Sequence, residues 1–229
     1  MKNKSILLLV FLLINSTLFA DNVLIEAKNI SLDKDKKTSI FEDDVTITTE
    51  KKIIKSEYVE HDKIKGRLTI KKNVIARDEK NNIIKTQHAE YFEKEEIFKS
   101  IGLTSITTSD EYVINGEDIT IDNNLRIISS KKSSTIEDLD GNHIYLENFE
   151  YQIDNNIFKS IGFIKIKDQN DNQYEFSQIY IDTKKKEILG SDIKSFLNSN
   201  EFKYSQDNKP RIFANTLKFS ENSSKFKKG

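Results

Sequence analysis

Three histidines, His61, His88 and His143, are the residues of this 229-residue chain best suited to metal or proton chemistry, and they lie 27 and 55 residues apart. A zinc site needs three or four convergent ligands. Here no two histidines have i,i+4 spacing and the chain has no cysteine to complete a set, so they read as solvated strand or turn residues. The segment Asp168-Gln169-Asn170-Asp171-Asn172 opens with oxygens at positions one, three and five of a calcium loop. Gln173 then stands where the loop needs glycine and Ile179 where it needs a bidentate glutamate, so the segment reads as a polar hairpin. Adjacent carboxylates at Asp43-Asp44 and Glu95-Glu96 have the chemistry of an acid–base pair. Neighbours along a strand point to opposite faces, so neither pair would converge on a substrate. No strand-to-helix nucleophile motif and no P-loop is present. The expectation is a chain that is not an enzyme and takes no cofactor or metal.

The elements that carry these residues are built from a polar composition: 32% charged, 36% hydrophobic, mean hydropathy -0.58. That is less apolar and more charged than an average globular chain. A formal charge of -1 and a pI near 6.4 argue against a nucleic-acid partner. The absence of cysteine excludes disulfides and thiol chemistry. At the N-terminus, Lys2 and Lys4 precede an apolar run from Ile6 to Phe19 and a small residue, Ala20. This is the anatomy of a secretory signal over residues 1–20. The run is shorter than the roughly 20 residues that span a bilayer, and the competing reading is a retained single-helix anchor. With no cysteine after the run, a lipoprotein is excluded.

From Val23 onward, apolar and polar residues alternate with period two, as in Ile119-Thr120-Ile121, Tyr151-Gln152-Ile153 and Ile179-Tyr180-Ile181. That period indicates half-buried strands. Asn115-Gly116, Asp140-Gly141, Asp122-Asn123-Asn124 and Asp154-Asn155-Asn156 supply turn chemistry. The hexapeptide Ile-Phe-Lys-Ser-Ile-Gly occurs at 97–102 and again at 157–162. Around it runs a looser unit of about 30 residues, marked by a strand-closing residue at Asp33, Asp62, Lys94, Asp122, Asp154 and Asp182. Such a period made of short strands predicts an all-β, repetitive architecture whose units bury their faces against one another.

The segments Ala27-Lys28-Asn29-Ile30-Ser31-Leu32-Asp33, Phe41-Glu42-Asp43-Asp44-Val45 and Ile70-Lys71-Lys72-Asn73-Val74 resemble the recurring motifs of the OstA-like family of lipopolysaccharide-transport proteins. The resemblance extends over about Val23 to Ile193. It implies an open, V-shaped β-jellyroll over residues 21–200 that shields lipid A acyl chains in the periplasm without catalysis. Residues 201–229, with seven basic residues against three acidic, resemble the segment that leads into the barrel of the family's outer-membrane assembly member. They are expected to form a basic linker. The chain then corresponds either to the N-terminal periplasmic domain of that member, without its barrel, or to the family's free periplasmic bridge protein. An anchored member of the family is a third reading. Outer-membrane association is expected of the full-length form.

Counting back one and three residues from each strand-closing position gives twelve residues, of which all but His61 and Glu93 are apolar or aromatic and form a candidate stripe: Ile30, Leu32, Val59, Tyr91, Ile119, Ile121, Tyr151, Ile153, Ile179 and Ile181. Period two places each pair on one side of its strand. The stripe is either packed core or the lining of a lipid groove. Edge strands of an open sheet invite a further strand. The resemblance implies that the first strand, with Leu24, Ile25 and Ala27, pairs with another jellyroll protein of the transport system. The rival reading is an exported structural or adhesive β-solenoid with a filled core and no ligand.

Overall fold

The computed structural model describes residues 23–33, 37–109, 111–198, 211–220 and 223–227. The candidate signal at 1–20 lies outside them. Every described element is a strand and every pairing is antiparallel. The chain enters through β1 (Leu24–Glu26) and β2 (Asn29–Asp33), then makes four long passes: β3 (Thr38–Thr48), β4 (Lys52–Asp62), β5 (Arg67–Asp78) and β6 (Ile83–Phe92). The next four passes are each broken in two: β7 (Ile97–Ser100) with β8 (Leu103–Thr107), β9 (Val113–Glu117) with β10 (Thr120–Asp122), β11 (Ile127–Ser130) with β12 (Ser134–Glu137), and β13 (His143–Leu146) with β14 (Phe149–Gln152). The passes close with β15 (Ile157–Lys167), β16 (Gln173–Asp182), β17 (Glu187–Phe196), β18 (Arg211–Ser220) and β19 (Ser223–Lys227).

Each pass turns a corner near its middle. Asp43 and Asp44 in β3, and Lys72 and Asn73 in β5, adopt positive φ there, as do Gly102, Asp118, Gly162 and Asp192 in later passes. The ladder register shifts at the same places, between Glu42 and Val45, Lys71 and Val74, and Ile161 and Ile164. A bulge bends its strand and raises the local twist, and Asp and Asn tolerate the left-handed region better than most residues. The paired acids at Asp43-Asp44 therefore make a corner. The corners divide the ladder into two half-sheets. One, here half A, runs through the N-terminal part of β3, the C-terminal part of β4, and on through β7, β10, β11 and β14. The other, half B, runs through the N-terminal part of β4, then β8, β9, β12 and β13. The inward residues of both halves form a single hydrophobic cluster. The architecture is all-β and jellyroll-like.

The repeat is more regular than the sequence shows. In the hairpin turns of half A the fifth residue has positive φ at Gly66, Glu96, Arg126, Asn156 and Lys186, at intervals of 30 residues. The opposite turns repeat it at Asn81, Glu111, Gly141 and Asp171. Two of the expected strand-closing positions are displaced by this frame. Lys94 and Asp154 lie inside turns, and their strands end at Phe92 and Gln152. Within the segment expected to be a linker, β18 pairs β17 along eight residues and β19 pairs β18, so the ladder continues past residue 200. Ala214 and Leu217 are buried in the core, and that burial explains why these residues form strands.

Candidate functional site

The chemistry-bearing residues singled out above are not brought together. His61, His88 and His143 sit on β4, β6 and β13. His61 Nε2 lies 3.2 Å from Glu93 Oε1 without hydrogen-bond geometry, and His143 Nδ1 lies 3.9 Å from Glu137. Among the described residues no group of three His, Asp or Glu side chains could hold a metal ion. The 168–172 segment is the β15–β16 hairpin. Asp168 Oδ1 accepts hydrogen bonds from the N–H groups of Asn170 and Asn172, and Asp168 Oδ2 accepts one from the Asn172 side chain, each at 2.9 Å. Asp78 with Lys80 and Asn82, and Asp138 with Asp140 and Asn142, make the same three bonds. In the turns of half A, Asp62, Asp122 and Asp182 accept from backbone N–H groups two or three residues on, as turn aspartates should. Backbone and side-chain donors from Lys65 hold the Asp62 carboxyl below its usual range.

What the fold does assemble is an apolar interior. In half A one inward row passes from strand to strand as Leu32, Ser39, His61, Leu68, Tyr91, Phe98, Ile121, Ile128, Tyr151, Phe158, Ile181, Ile188 and Phe219, each directly opposite the next. In half B the equivalent row reads Ile25, Ile47, Ile54, Ala76, Ile84, Ile106, Ile114, Ile136, Ile144, Ile166, Tyr174, Ser195 and Ile212. Directly opposed β-branched and aromatic pairs are the stabilising unit of such a ladder. At the corner the halves come close. A Cβ on Gly190 of β17 would stand 2.4 Å from the Phe176 ring of β16, so only glycine leaves space for that ring.

Of the ten stripe residues, Val59, Tyr91, Ile119, Ile121 and Ile179 are buried, while Tyr151, Ile153 and Ile181 are half-buried against the same cluster. Ile153 occupies a turn and not a strand. Ile30 and Leu32 on β2 face inward but stand 58% and 64% exposed, because no described strand lies beyond β2. Inward residues that the stripe omits include Ala89 and Phe149, together with Phe41, Leu68, Ile70, Phe98, Ile128 and Phe158 on the returning strands. The whole isoleucine row of half B is also missing from it. Leu24 is exposed, whereas Ile25 and Ala27 pack against the cluster. The edge strand breaks at the corner beside Ala27, where the Lys28 N–H donates to Asp43 O at 3.0 Å.

The site is therefore the lined interior of a repetitive antiparallel jellyroll-like sheet whose first edge no described strand covers. Among known proteins, no family model matches the sequence, and no curated protein matches it. Among solved structures it is similar to LptH, the LptA homologous periplasmic component of the lipopolysaccharide transport device of Pseudomonas aeruginosa. The match has 11% identity over 83% of this chain and 93% of that chain, with a TM-score of 0.21.

Proposed function

We propose that this chain is an exported, non-catalytic carrier of lipopolysaccharide acyl chains, in the manner of an LptA-like jellyroll or of the periplasmic part of LptD. The observation that carries this reading is the end of the half A row. An apolar interior that is continuous through the ladder reaches the first edge with Ile30 and Leu32 uncovered. Each methylene seated against such a row would contribute roughly 0.8 kcal/mol, so acyl chains need no specific hydrogen bonds. The motifs shared with the OstA-like family supply the class of cargo and the periplasmic location. In this reading Ile30, Leu32, Val59, Tyr91, Ile119, Ile121, Tyr151, Ile153, Ile179 and Ile181 line or support the acyl path. The strand with Leu24, Ile25 and Ala27 receives an edge strand of a second jellyroll protein by β-augmentation. Outer-membrane components then stand at the far end of the bridge.

One observation favours the rival solenoid: Ile54, Val59, Leu68 and Phe98 are fully buried, as in a filled core. Photo-crosslinking decides between them. A benzophenone side chain at Leu32 or Tyr151 should yield lipopolysaccharide adducts in cells, and one at Leu24 should yield adducts with a second jellyroll protein. Absence of glycolipid adducts at both lining positions refutes the carrier. Mass spectrometry of the periplasmic fraction should find a terminus near Asp21, and an intact Met1 in the inner-membrane fraction would favour the anchored form.

A further inference from the structure

If the interior carries acyl chains, which is the reading just given, a core this full must part somewhere to admit them. At the corners the halves are joined by continuous backbone, so they can separate only at the opposite side, where hairpin turns of half B meet those of half A. There the β3–β4 turn reaches β7 and the turn before it. Among the described residues β4 pairs with β3 and β5, and β7 with β6 and β10, so no strand pairing joins β4 to β7 and side chains make this contact. Lys51 Nζ lies 2.5 Å from Glu96 Oε2, with both side chains partly buried. The next residue, Lys52, points inward at 5% exposure, with its ammonium 5.7 Å from the centre of the Phe98 ring. Among the described residues that ammonium has no hydrogen-bond partner. The charges facing it are Asp78 on β5, Glu96 in the β6–β7 turn, Arg126 in the β10–β11 turn, and its neighbour Lys51.

A buried ammonium without hydrogen bonds is a costly group to keep. It regains water as soon as the turn lifts, so parting the halves here is offset by hydrating Lys52. We propose that Lys51 and Lys52, set on Glu96 and Phe98, form a clasp between the two half-sheets, and that the interior opens at this clasp to admit an acyl chain.

The chain contains no cysteine, so introduced thiols report cleanly. Ser100, buried one inward position beyond Phe98 on β7, becomes the reporter as Ser100→Cys. Ser195→Cys, buried on β17, is the distant control. Glu96→Lys turns the ion pair into repulsion and should raise maleimide labelling at position 100 by five- to tenfold, with position 195 unchanged. The exchange Lys51→Glu with Glu96→Lys should return the rate to within about twofold of the original. No change at position 100, or an equal rise at both positions, overturns the clasp. A second arm links the turns covalently by bridging Lys51→Cys and Glu96→Cys with a reducible bis-thiosulfonate spacer, because the contact is between the tips of two long side chains. Bridging should slow uptake of a fluorescent fatty acid at least tenfold, and reduction should restore it. Equal uptake in both states overturns the clasp as the point of entry. Failure of every form, the unaltered protein included, to take up the probe refutes the carrier reading instead, while the thiol rates still judge the clasp.

Discussion

The inward row of half A mixes five aromatic rings with Ser39 and His61, whereas that of half B is isoleucine at ten of its thirteen positions, from Ile25 to Ile212. The two rows also end differently at the first strand. Ile25 is half-buried against the cluster, and Leu32 stands open to solvent. Uniform β-branched side chains have few rotamers and stack into an even, stiff wall. Mixed sizes and polar interruptions leave the facing wall less even. The comparison teaches a difference within one core: half B presents the more uniform surface, and half A presents the surface that ends exposed at β2, where the proposed reading would lay a ligand.

The sharpest way to break that comparison is to charge each row. Ile54→Asp in half B buries a carboxylate with no partner, at a cost of several kcal/mol. Marginal stability is commonly 5–15 kcal/mol, so loss of the β-sheet circular dichroism signal or a large drop in the urea midpoint is expected. Leu32→Asp at the exposed end of half A should move the midpoint by about 0.5 kcal/mol or less while removing lipid adducts at neighbouring positions. Equal destabilisation by the two would erase the distinction between the rows. A smaller effect, of opposite sign, is expected at the contact between the halves. Burial pushes the Lys52 pKa down to about 8, against the pull of Asp78 and Glu96. The folded state therefore disfavours the charged amine. Its cost is present in full below about pH 8 and is relieved as pH rises from there towards the unfolded value of 10.5. Lys52→Met should stabilise the protein at pH 7 by roughly 3 kcal/mol, and the gap between variant and parent should narrow by pH 10. Urea midpoints at both values measure it, and a gap that ignores pH would mean that the amine is hydrated.

The same contrast explains what the sequence made visible. Half A is legible because its strands end in turns marked by Asp62, Asp122 and Asp182, so counting back from each recovers buried Val59, Ile121, Ile179 and their neighbours. The count slips at the third and fifth units. Lys94 and Asp154 are polar residues within turns, and nothing in their type separates a strand-closing residue from one two places later. Half B stayed hidden because the corners interrupt the alternation. Along β4 the inward set Lys52, Ile54, Ser56 resumes at Val59, out of phase, after the register shift between Lys55 and Tyr58. A window of fixed period reads across that step and loses the row. Two of the three motifs that resemble the OstA-like family proved to be these corners, at Asp43-Asp44 and Lys72-Asn73. The clasp was beyond reach, since Lys51 and Glu96 are 45 residues apart and nothing local connects them.

Where the halves meet at the corner, Gly190 and Phe176 offer a test of how rigidly one is set on the other. Gly190→Ala forces the Phe176 ring aside, and overpacking of this kind costs typically 1–3 kcal/mol. Phe176→Leu in the same chain should recover part of that loss. Single variants whose thermal midpoints simply add would show that the ring has other space to occupy.

The smallest effects should separate the two families of turns. In half B, Asp138 accepts from two backbone N–H groups and from the Asn142 side chain, at 2.7–3.0 Å. In half A, Asp122 accepts from the Leu125 N–H at 2.8 Å. Net hydrogen bonds to a charged acceptor contribute on the order of 1 kcal/mol each when partly buried and less when exposed. Asp138→Ala should therefore cost about 1–2 kcal/mol and Asp122→Ala about 0.5 kcal/mol, read as shifts in urea midpoint at pH 7. If the two substitutions cost the same, the turn that carries three bonds is no more constrained than the turn that carries one, and the two halves differ in their inward rows and not in their turns.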